Sequence, residues 1–596
     1  QRTLPKIYFG TRTHKQLEQV IKELRRTNYT KGLKMSILSS REHTCIMDTN
    51  STYRTKNELC KYLKESVSGC KYNDNKNMLT GRRAPPGVWD IEDLVSLGQE
   101  REACPYFAAR DLATYADIVF CPYNYLLDPS IRSSIKLSLD GNIVIIDEGH
   151  NIEDVCRETA SLTLELSQVE AALLVSITYF VATYVGLLFT PYRYYVSFAI
   201  PPSVPPSSPT LPSPFLRSFP CIPVPTLVSF PTFSFTEFFF RNQCGNLDDY
   251  KGVLTKRTDW EYKSNQSQSG GWMGKNMKKD MEENVKMTLK VSCMNSALVF
   301  DYVSLKSRCV ILASGTLTPT LSFPAELGTT FPLTLHTAHV ISANQVWVGS
   351  VDSGPNGIPL EGTFRNTSKP EWQDALGELL LWVCQTVPHG VLCFLSSYRL
   401  METLQERWQI TRIWDKIERE KTIFTESRKM GEHDRIMTDY YQCVGQGGAI
   451  LFAVFRGKVS EGMDFRDHQA RAVVTVGIPY PNVRDDIVDG KMKYNESHRA
   501  DRLLVSGREW LNIQAYRALN QALGRCIRHK NDWGAVIMVD SRFQVPSYTL
   551  HISKWVKNFL GDKHHSWDSL TRGPHSLVKF MDNMKLTQPD TALNDI

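Results

Sequence analysis

An uninterrupted aliphatic run, Ile143–Ile146, that ends in Asp147-Glu148 constrains this chain more than any other stretch. Four apolar residues without polar alternation read as a strand buried on both faces, as in a parallel sheet covered by helices. In such sheets ligands sit beyond the carboxyl ends of the strands. Adjacent carboxylates repel one another unless a cation or solvent offsets the charge. Asp147 and Glu148 therefore point either to Mg2+ coordination with water activation or to a solvated acidic turn.

The chain has 596 residues, and single cores stop growing beyond roughly 250–300 residues, so at least two domains are expected. A second α/β series begins at Gln345. Strands are expected near Val346–Val348, Val391–Phe394, Ile450–Val454, Ala472–Val476 and Ala535–Val539, with helices at Trp372–Val383, Tyr398–Trp408 and Ile513–Arg528. This alternation implies two similar α/β domains with mainly parallel sheets. A net charge of +6 permits a polyanionic partner without demanding one. Fourteen scattered cysteines without a signal peptide favour a reducing compartment over a disulfide framework.

Five further segments bear on the chemistry. Lys6–Phe9 is a short strand, followed by Gly10-Thr11-Arg12-Thr13-His14 and a helix that Thr13 and Gln16 can cap. That loop is either a phosphate contact at a helix N-terminus or an ordinary strand-to-helix connection. Cys45, Cys60, Cys70 and Cys104 lie in a polar, irregular segment, separated by fourteen, nine and thirty-three residues. The spacing lacks the close pairs of a zinc ribbon and leaves zinc, an iron–sulfur cluster and unrelated thiols all open. A strand at Ala116–Phe120 follows, and another at Arg308–Ala313 runs into Ser314-Gly315-Thr316-Leu317. Between Arg456 and Phe465, Gly457 and Gly462 permit close backbone approach to a ligand and Asp464 offers a carboxylate for a ribose hydroxyl. The alternative there is a flexible loop. On a continuous helix Gln521, Arg525 and Arg528 would share an arc of about 60°. Two guanidiniums on one face suit a transferring phosphoryl group, or else form a solvated basic face.

The centre of the chain differs from the rest. Ala171–Tyr192 carries no charge and is long enough to span a bilayer, but no second span or basic flank accompanies it, and we read it as not membranous. From Ser197 to Phe240 about seven residues in ten are Phe, Ser, Pro or Leu, all encodable by pyrimidine-only codons. We expect part of residues 171–240 to be a gene-prediction artefact, which a transcript running continuously through it would refute. Gly270–Lys275 imitates a phosphate loop, but Ser269 and Asn276 stand at its required glycine and hydroxyl positions.

Taken in order, Thr11-Arg12-Thr13-His14, the four cysteines, Asp147-Glu148-Gly149-His150, Ser314-Gly315-Thr316-Leu317, Gly457 through Phe465 and Gln521 through Arg528 resemble the iron–sulfur branch of superfamily 2 helicases, the group related to XPD. The resemblance covers roughly residues 1–165 and 290–565. It implies two RecA-like parallel-sheet domains, an iron–sulfur insertion at about 40–108 and a truncated or mispredicted arch. The corresponding divisions are 1–165 with 290–335, 166–289 for the arch, 336–575, and a tail at 576–596.

By the same resemblance the activity is ATP-dependent 5′ to 3′ DNA unwinding, in DNA repair and replication-fork maintenance in the nucleus. Its partners would be single-stranded and forked DNA and DNA-repair proteins. Asp147 would hold Mg2+, Glu148 orient water, His150 couple the nucleotide to motion, and Arg525 and Arg528 reach the γ-phosphate. Gly462, Asp464 and Gln521 would contact nucleotide. Thr11, Arg12, Thr13, His14, Ser314 and Thr316 would touch or couple to DNA, and the four cysteines would hold a [4Fe–4S] cluster. Three departures stand out: Gly149 replaces an alanine, the arch interval is short, and no glycine-rich phosphate loop precedes Ile7. We therefore expect an N-terminally incomplete helicase, inactive alone. The competing reading is a non-enzymatic DNA-binding or scaffolding product.

Overall fold

The computed structural model describes residues 4–48, 55–67, 69–167, 247–262, 281–335, 341–560 and 564–587. The tract at 171–240 and the Gly270–Lys275 segment lie outside them. Among the described residues no helix is long and apolar enough to cross a membrane. The chain packs as two compact units, Gln1–Thr159 with Met294–Ile596, and Ala160–Cys293.

In the larger unit the first sheet takes β1 (Ile7–Thr11), β2 (Met35–Ile37), β3 (Ile118–Pro122) and β4 (Ile143–Asp147). The smaller unit follows, with β5 (Leu162–Glu165), β6 (Tyr250–Tyr262) and β7 (Met281–Cys293) in an antiparallel sheet of order β5-β7-β6. The sequence reading assigned no strands there, because β6 and β7 mix Lys, Thr and Glu with few aliphatic residues. β8 (Cys309–Ala313) then completes the first sheet in the order β2-β3-β1-β4-β8, with every pairing parallel. The register sets Asp147 beside Ala313 and Gly10 beside Ile146, so the residues after β1, β4 and β8 emerge at one edge. β8 is an outer strand whose Cys309, Ile311 and Ala313 are exposed.

The second sheet comprises β9 (Val346–Val351), β10 (Gly390–Leu395), β11 (Thr422–Thr425), β12 (Ala449–Val454), β13 (Ala472–Val476), β14 (Gly534–Val539) and β15 (His564–His565). Its order is β11-β12-β10-β13-β14-β9-β15, again parallel. β10 is buried along its whole length and alternates between two cores. Val391, Cys393 and Leu395 face one, and Leu392 and Phe394 the other. This is why its sequence is continuously apolar.

Two sequence expectations are corrected here. Among the described residues the stretch between Cys45 and Cys104 is not irregular: helices span Lys56–Glu65, Lys71–Asp74 and Ile91–Glu100. Capping boxes at Thr55/Glu58 and Asp90/Asp93 start two of them. Leu79, Trp89 and Leu94 pack with Leu17, Ile21 and Phe120 against the first sheet. The helix expected at Ile513–Arg528 instead spans Gly507–Leu523. Gly524 caps it, its N–H bonding Asn520 O at 3.0 Å. Arg525 and Arg528 thus lie beyond the helix, and the shared helical face does not exist.

Trp408 shows how the second core closes. Its ring is fully buried against Phe452, its Nε1–H donates to Gln373 O at 2.8 Å, and a Cβ on Gly377 would lie 2.5 Å from that nitrogen. Trp408→Ala should cost about 3–5 kcal/mol through the cavity and the orphaned carbonyl. Urea unfolding of the purified chain measures it, and a loss below about 1 kcal/mol would show that this core tolerates the void.

Candidate nucleotide site at the facing edges of the two sheets

Asp147 closes β4, and Glu148 follows in a left-handed conformation at φ 51° and ψ 42°. A non-glycine residue held there is uncommon, and such strain collects at functional sites. The turn directs the Glu148 carboxylate toward the end of β8, where Ser314 Oγ donates to its Oε2 at 2.7 Å. Ser314 Oγ also lies 2.8 Å from His150 Nδ1 and accepts the Thr316 N–H at 3.1 Å. On the other side of the imidazole, the Gln521 amide Nε2 meets His150 Nε2. The donor and acceptor roles around the ring depend on its tautomer, and in either one Nδ1 meets Ser314 and Nε2 meets Gln521. A continuous chain therefore runs from Gln521 through His150 and Ser314 to Glu148. It joins the helix before β14 to the ends of β4 and β8.

The two neighbouring carboxylates are driven in opposite directions. Burial raises the Glu148 pKa, but the hydrogen bond and the charge of His150, then the Ser314 hydrogen bond and the charge of Arg525, outweigh it and hold the group at about 2. Burial raises Asp147, and the charge of Glu148 adds to it against the Glu148 N–H, His150 and Arg528. Arg525 is gripped by backbone, its Nε donating to Ser460 O at 2.9 Å and its Nη1 to Met463 O at 2.7 Å. Burial lowers its pKa, and Glu148 is the leading charge that opposes this.

Residues 9–169 match the DEAD_2 family and residues 380–559 the Helicase C-terminal domain. The chain is 39% identical to the Fanconi anemia group J protein homolog of Gallus gallus, over 97% of this chain and 52% of that protein. It is 32% identical to the Regulator of telomere elongation helicase 1 homolog of Drosophila melanogaster, over 94% of this chain and 64% of that one. This chain belongs to the XPD-like superfamily 2 helicases. It spans about half to two thirds of the length of these curated relatives. A solved structure titled "XPD_Helicase" superposes with a TM-score of 0.55 at 16% identity, covering 94% of this chain and 91% of that one. Each parallel sheet with its helices is accordingly a RecA-like domain.

In this XPD-like chain the remaining sequence-selected residues fall into three groups. Asp464 pairs with Arg528 and with Arg466, so its carboxylate is engaged by arginines. Gly462 ends the short helix Lys458–Gly462. Thr13 is spent on its capping box, Thr11 is buried with its hydroxyl on Thr13 O at 3.0 Å, and His14 turns inward against the His43 ring at 4.3 Å. Burial, then His43, lowers the His14 pKa to about 4. Arg12 reaches across to Glu461 at 2.5 Å, and Lys15 to Asp434 at 3.3 Å.

Cys45, Cys60, Cys70 and Cys104 line one pocket together with Ile46, Leu59 and Phe107. Burial raises Cys45, and the neighbouring thiols Cys60 and Cys70 add to the rise while the Met47 N–H opposes it. Burial also lifts Cys104 to about 11, against N–H groups of Phe107 and Tyr106, with Cys45 and Cys70 adding to the rise.

Sequence reasoning missed Glu426, just after β11. Its carboxylate is buried and accepts the N–H groups of Val454 at 2.9 Å and Val459 at 3.2 Å, pinning the loop whose carbonyls grip Arg525. Gly457 is required for this approach, since a Cβ there would lie 2.6 Å from both carboxylate oxygens. The only available signal was a lone glutamate at the end of an apolar run.

Because its folded pKa lies below the ordinary 4.5, Glu148 contributes stability that is present above pH 4.5 and lost as pH falls toward 2. The difference in urea stability between wild type and Glu148→Gln should be constant above about pH 5 and shrink below it. A difference independent of pH would show that the carboxylate is not held ionised by these partners.

Proposed function

We propose that the chain is the motor portion of an ATP-dependent DNA helicase that moves 5′ to 3′ on single-stranded and forked DNA in nuclear DNA repair and fork maintenance. The observation that carries the reading is the hydrogen-bond chain Gln521–His150–Ser314–Glu148, which links both RecA-like domains through one carboxylate. Phosphoryl transfer through a loose transition state needs positioning and charge stabilisation more than a strong base. A carboxylate with a pKa of about 2 suits that need: Glu148 stays ionised and orients the attacking water. Arg525, held by two carbonyls near Glu148, and Arg528 stabilise the charge on the γ-phosphate. Asp147, raised by burial and by the charge of Glu148, is the hard oxygen donor that Mg2+ would take, and the ion would neutralise charge on the phosphates.

Replacing the γ-phosphate by water changes what Glu148 and Arg525 face. The shift passes to Gln521 through His150, and to the segment after β8 through Ser314 and Thr316. Among the described residues β8 pairs with β4 alone.

The cysteine pocket fits a [4Fe–4S] cluster. Backbone N–H groups of Met47, Phe107 and Tyr106 point at the Cys45 and Cys104 sulfurs, the kind of bond that tunes such clusters. A zinc tetrathiolate would bring the sulfurs to roughly 3.8 Å from one another. The His, Cys, Asp and Glu donors that gather within 4.8 Å among the described residues are instead Asp467, His529 and Asp532.

Two measurements test this reading. In the full-length gene product, Glu148→Gln should lower DNA-stimulated ATP turnover at least about 100-fold, and equal turnover would remove Glu148 from the role. Anaerobically purified protein should contain iron and labile sulfide in equal amounts, whereas zinc without iron would overturn the cluster.

A further inference from the structure

The helix Ile152–Thr159 begins two residues after His150, and the helix Gly507–Leu523 carries Gln521 near its end. Both helices hold a second, buried set of partners one turn away from the nucleotide site. Glu153 accepts the Trp510 Nε1–H at 2.8 Å, Arg517 Nη1 at 2.7 Å and Gln514 Nε2 at 3.4 Å. Arg517 also donates from Nη2 to Ser322 Oγ at 2.9 Å and lies over the Phe323 ring at 4.2 Å. The side chains of Glu153 and Arg517 are 1% and 5% exposed.

A second pair repeats the arrangement. Lys491 donates to Glu326 Oε2 and to Met294 O, both at 2.7 Å, and Asn495 Nδ2 donates to Glu326 Oε1 at 2.8 Å. Lys491 and Glu326 are 0% and 1% exposed. In each pair the acid follows a strand of the first sheet, β4 or β8, and the base sits on a helix next to β13 or β14 of the second.

Spacing ties the first pair to the nucleotide site. Arg517 and Gln521 are four residues apart on one helix and so share a face. Their partners, Glu153 and His150, are three residues apart on the segment that follows Glu148. The two contacts are adjacent rungs between the same elements. Buried ion pairs contribute little net stability because desolvation offsets attraction, but removing one partner leaves a charge in low dielectric with no counter-ion. In this placement of the two elements both acids are buried against both bases. By contrast the Arg12–Glu461 pair is 36% and 18% exposed and the Lys15–Asp434 pair 72% and 68%. Such pairs are weak and exchange with solvent or ligand charges.

We propose that Glu153–Arg517, supported by Glu326–Lys491, is a buried two-point clasp between the two RecA-like domains, in which Glu153 and Arg517 are positioning residues that hold Gln521 on His150 and Arg525 beside Glu148. The role of Gln521 and Arg525 in this inference rests on the proposed ATPase reading, whereas the clasp itself rests only on the pairing.

Hydrogen exchange of the purified chain, without nucleotide or DNA, tests the clasp. Glu153→Gln and Arg517→Met should each raise exchange at least about tenfold in residues 148–159 and 514–526 while leaving β10 unchanged. The Glu153→Met/Arg517→Met double variant should return both segments to within about twofold of wild type, because both charges of the pair are gone and Arg157 keeps Asp154 as its partner. Arg517→Lys, which keeps the charge, should retain most of the protection and carries the comparison with Glu153→Gln if Arg517→Met does not fold. Wild-type exchange in the single variants, or additive exposure in the double, would overturn the clasp. In the full-length gene product, Glu153→Gln should lower kcat at least about tenfold with KM for ATP within about threefold. A loss confined to KM would overturn the positioning role. Absence of turnover in the wild type would count against the ATPase reading alone, since the exchange result stands without it.

Discussion

The half-buried Glu148 carboxylate draws its hydrogen bonds and its positive charge from both sheets, and its surroundings therefore depend on how the two sheets face one another. A buried carboxylate ionises only if donors or cations replace its hydration. Here the replacements come from three separate parts of the chain: Ser314 after β8, His150 in the turn after β4, and Arg525 beyond the helix that precedes β14. His150 is local to Glu148, but Ser314 is near it only if the first sheet keeps its register, and Arg525 only if the second domain faces it. The electrostatic requirement of one side chain is thus also a requirement on domain placement.

The charges joining the two domains differ in burial, and burial decides what each can do. Arg12–Glu461 and Lys15–Asp434 lie toward solvent, where an ion pair gains little and a competing anion can displace it. Glu153–Arg517 and Glu326–Lys491 lie out of water, where a missing partner is costly. A molecule with both kinds has contacts that can exchange on one side and contacts that resist rearrangement on the other.

Much of the fold was legible in the sequence, because a parallel strand buried on both faces writes itself as a local aliphatic run. The expected strands at Ala472–Val476, Ala535–Val539 and Ile450–Val454 lie within one residue of those observed. The capping box at Thr13 is likewise local and was readable. The helices among the cysteines were missed although two of them carry capping boxes, since their polar surfaces mask the few residues they bury. The helix through Arg528 was over-extended because periodicity does not register Gly524 as a stop.

The sequence by itself determined the strand runs, the order of the motifs along the chain, and through them membership of the XPD-like helicases. Each of these depends on residues within a few positions of one another or on their linear order. Only the tertiary structure decided that four widely spaced cysteines line one pocket, that Arg525 is gripped by the Ser460 and Met463 carbonyls, that Glu426 pins the loop supplying them, and that Glu153 meets Arg517. A charge or thiol in a sequence does not specify its partner. The partner is set by which distant elements pack together, and that is a property of the folded chain alone.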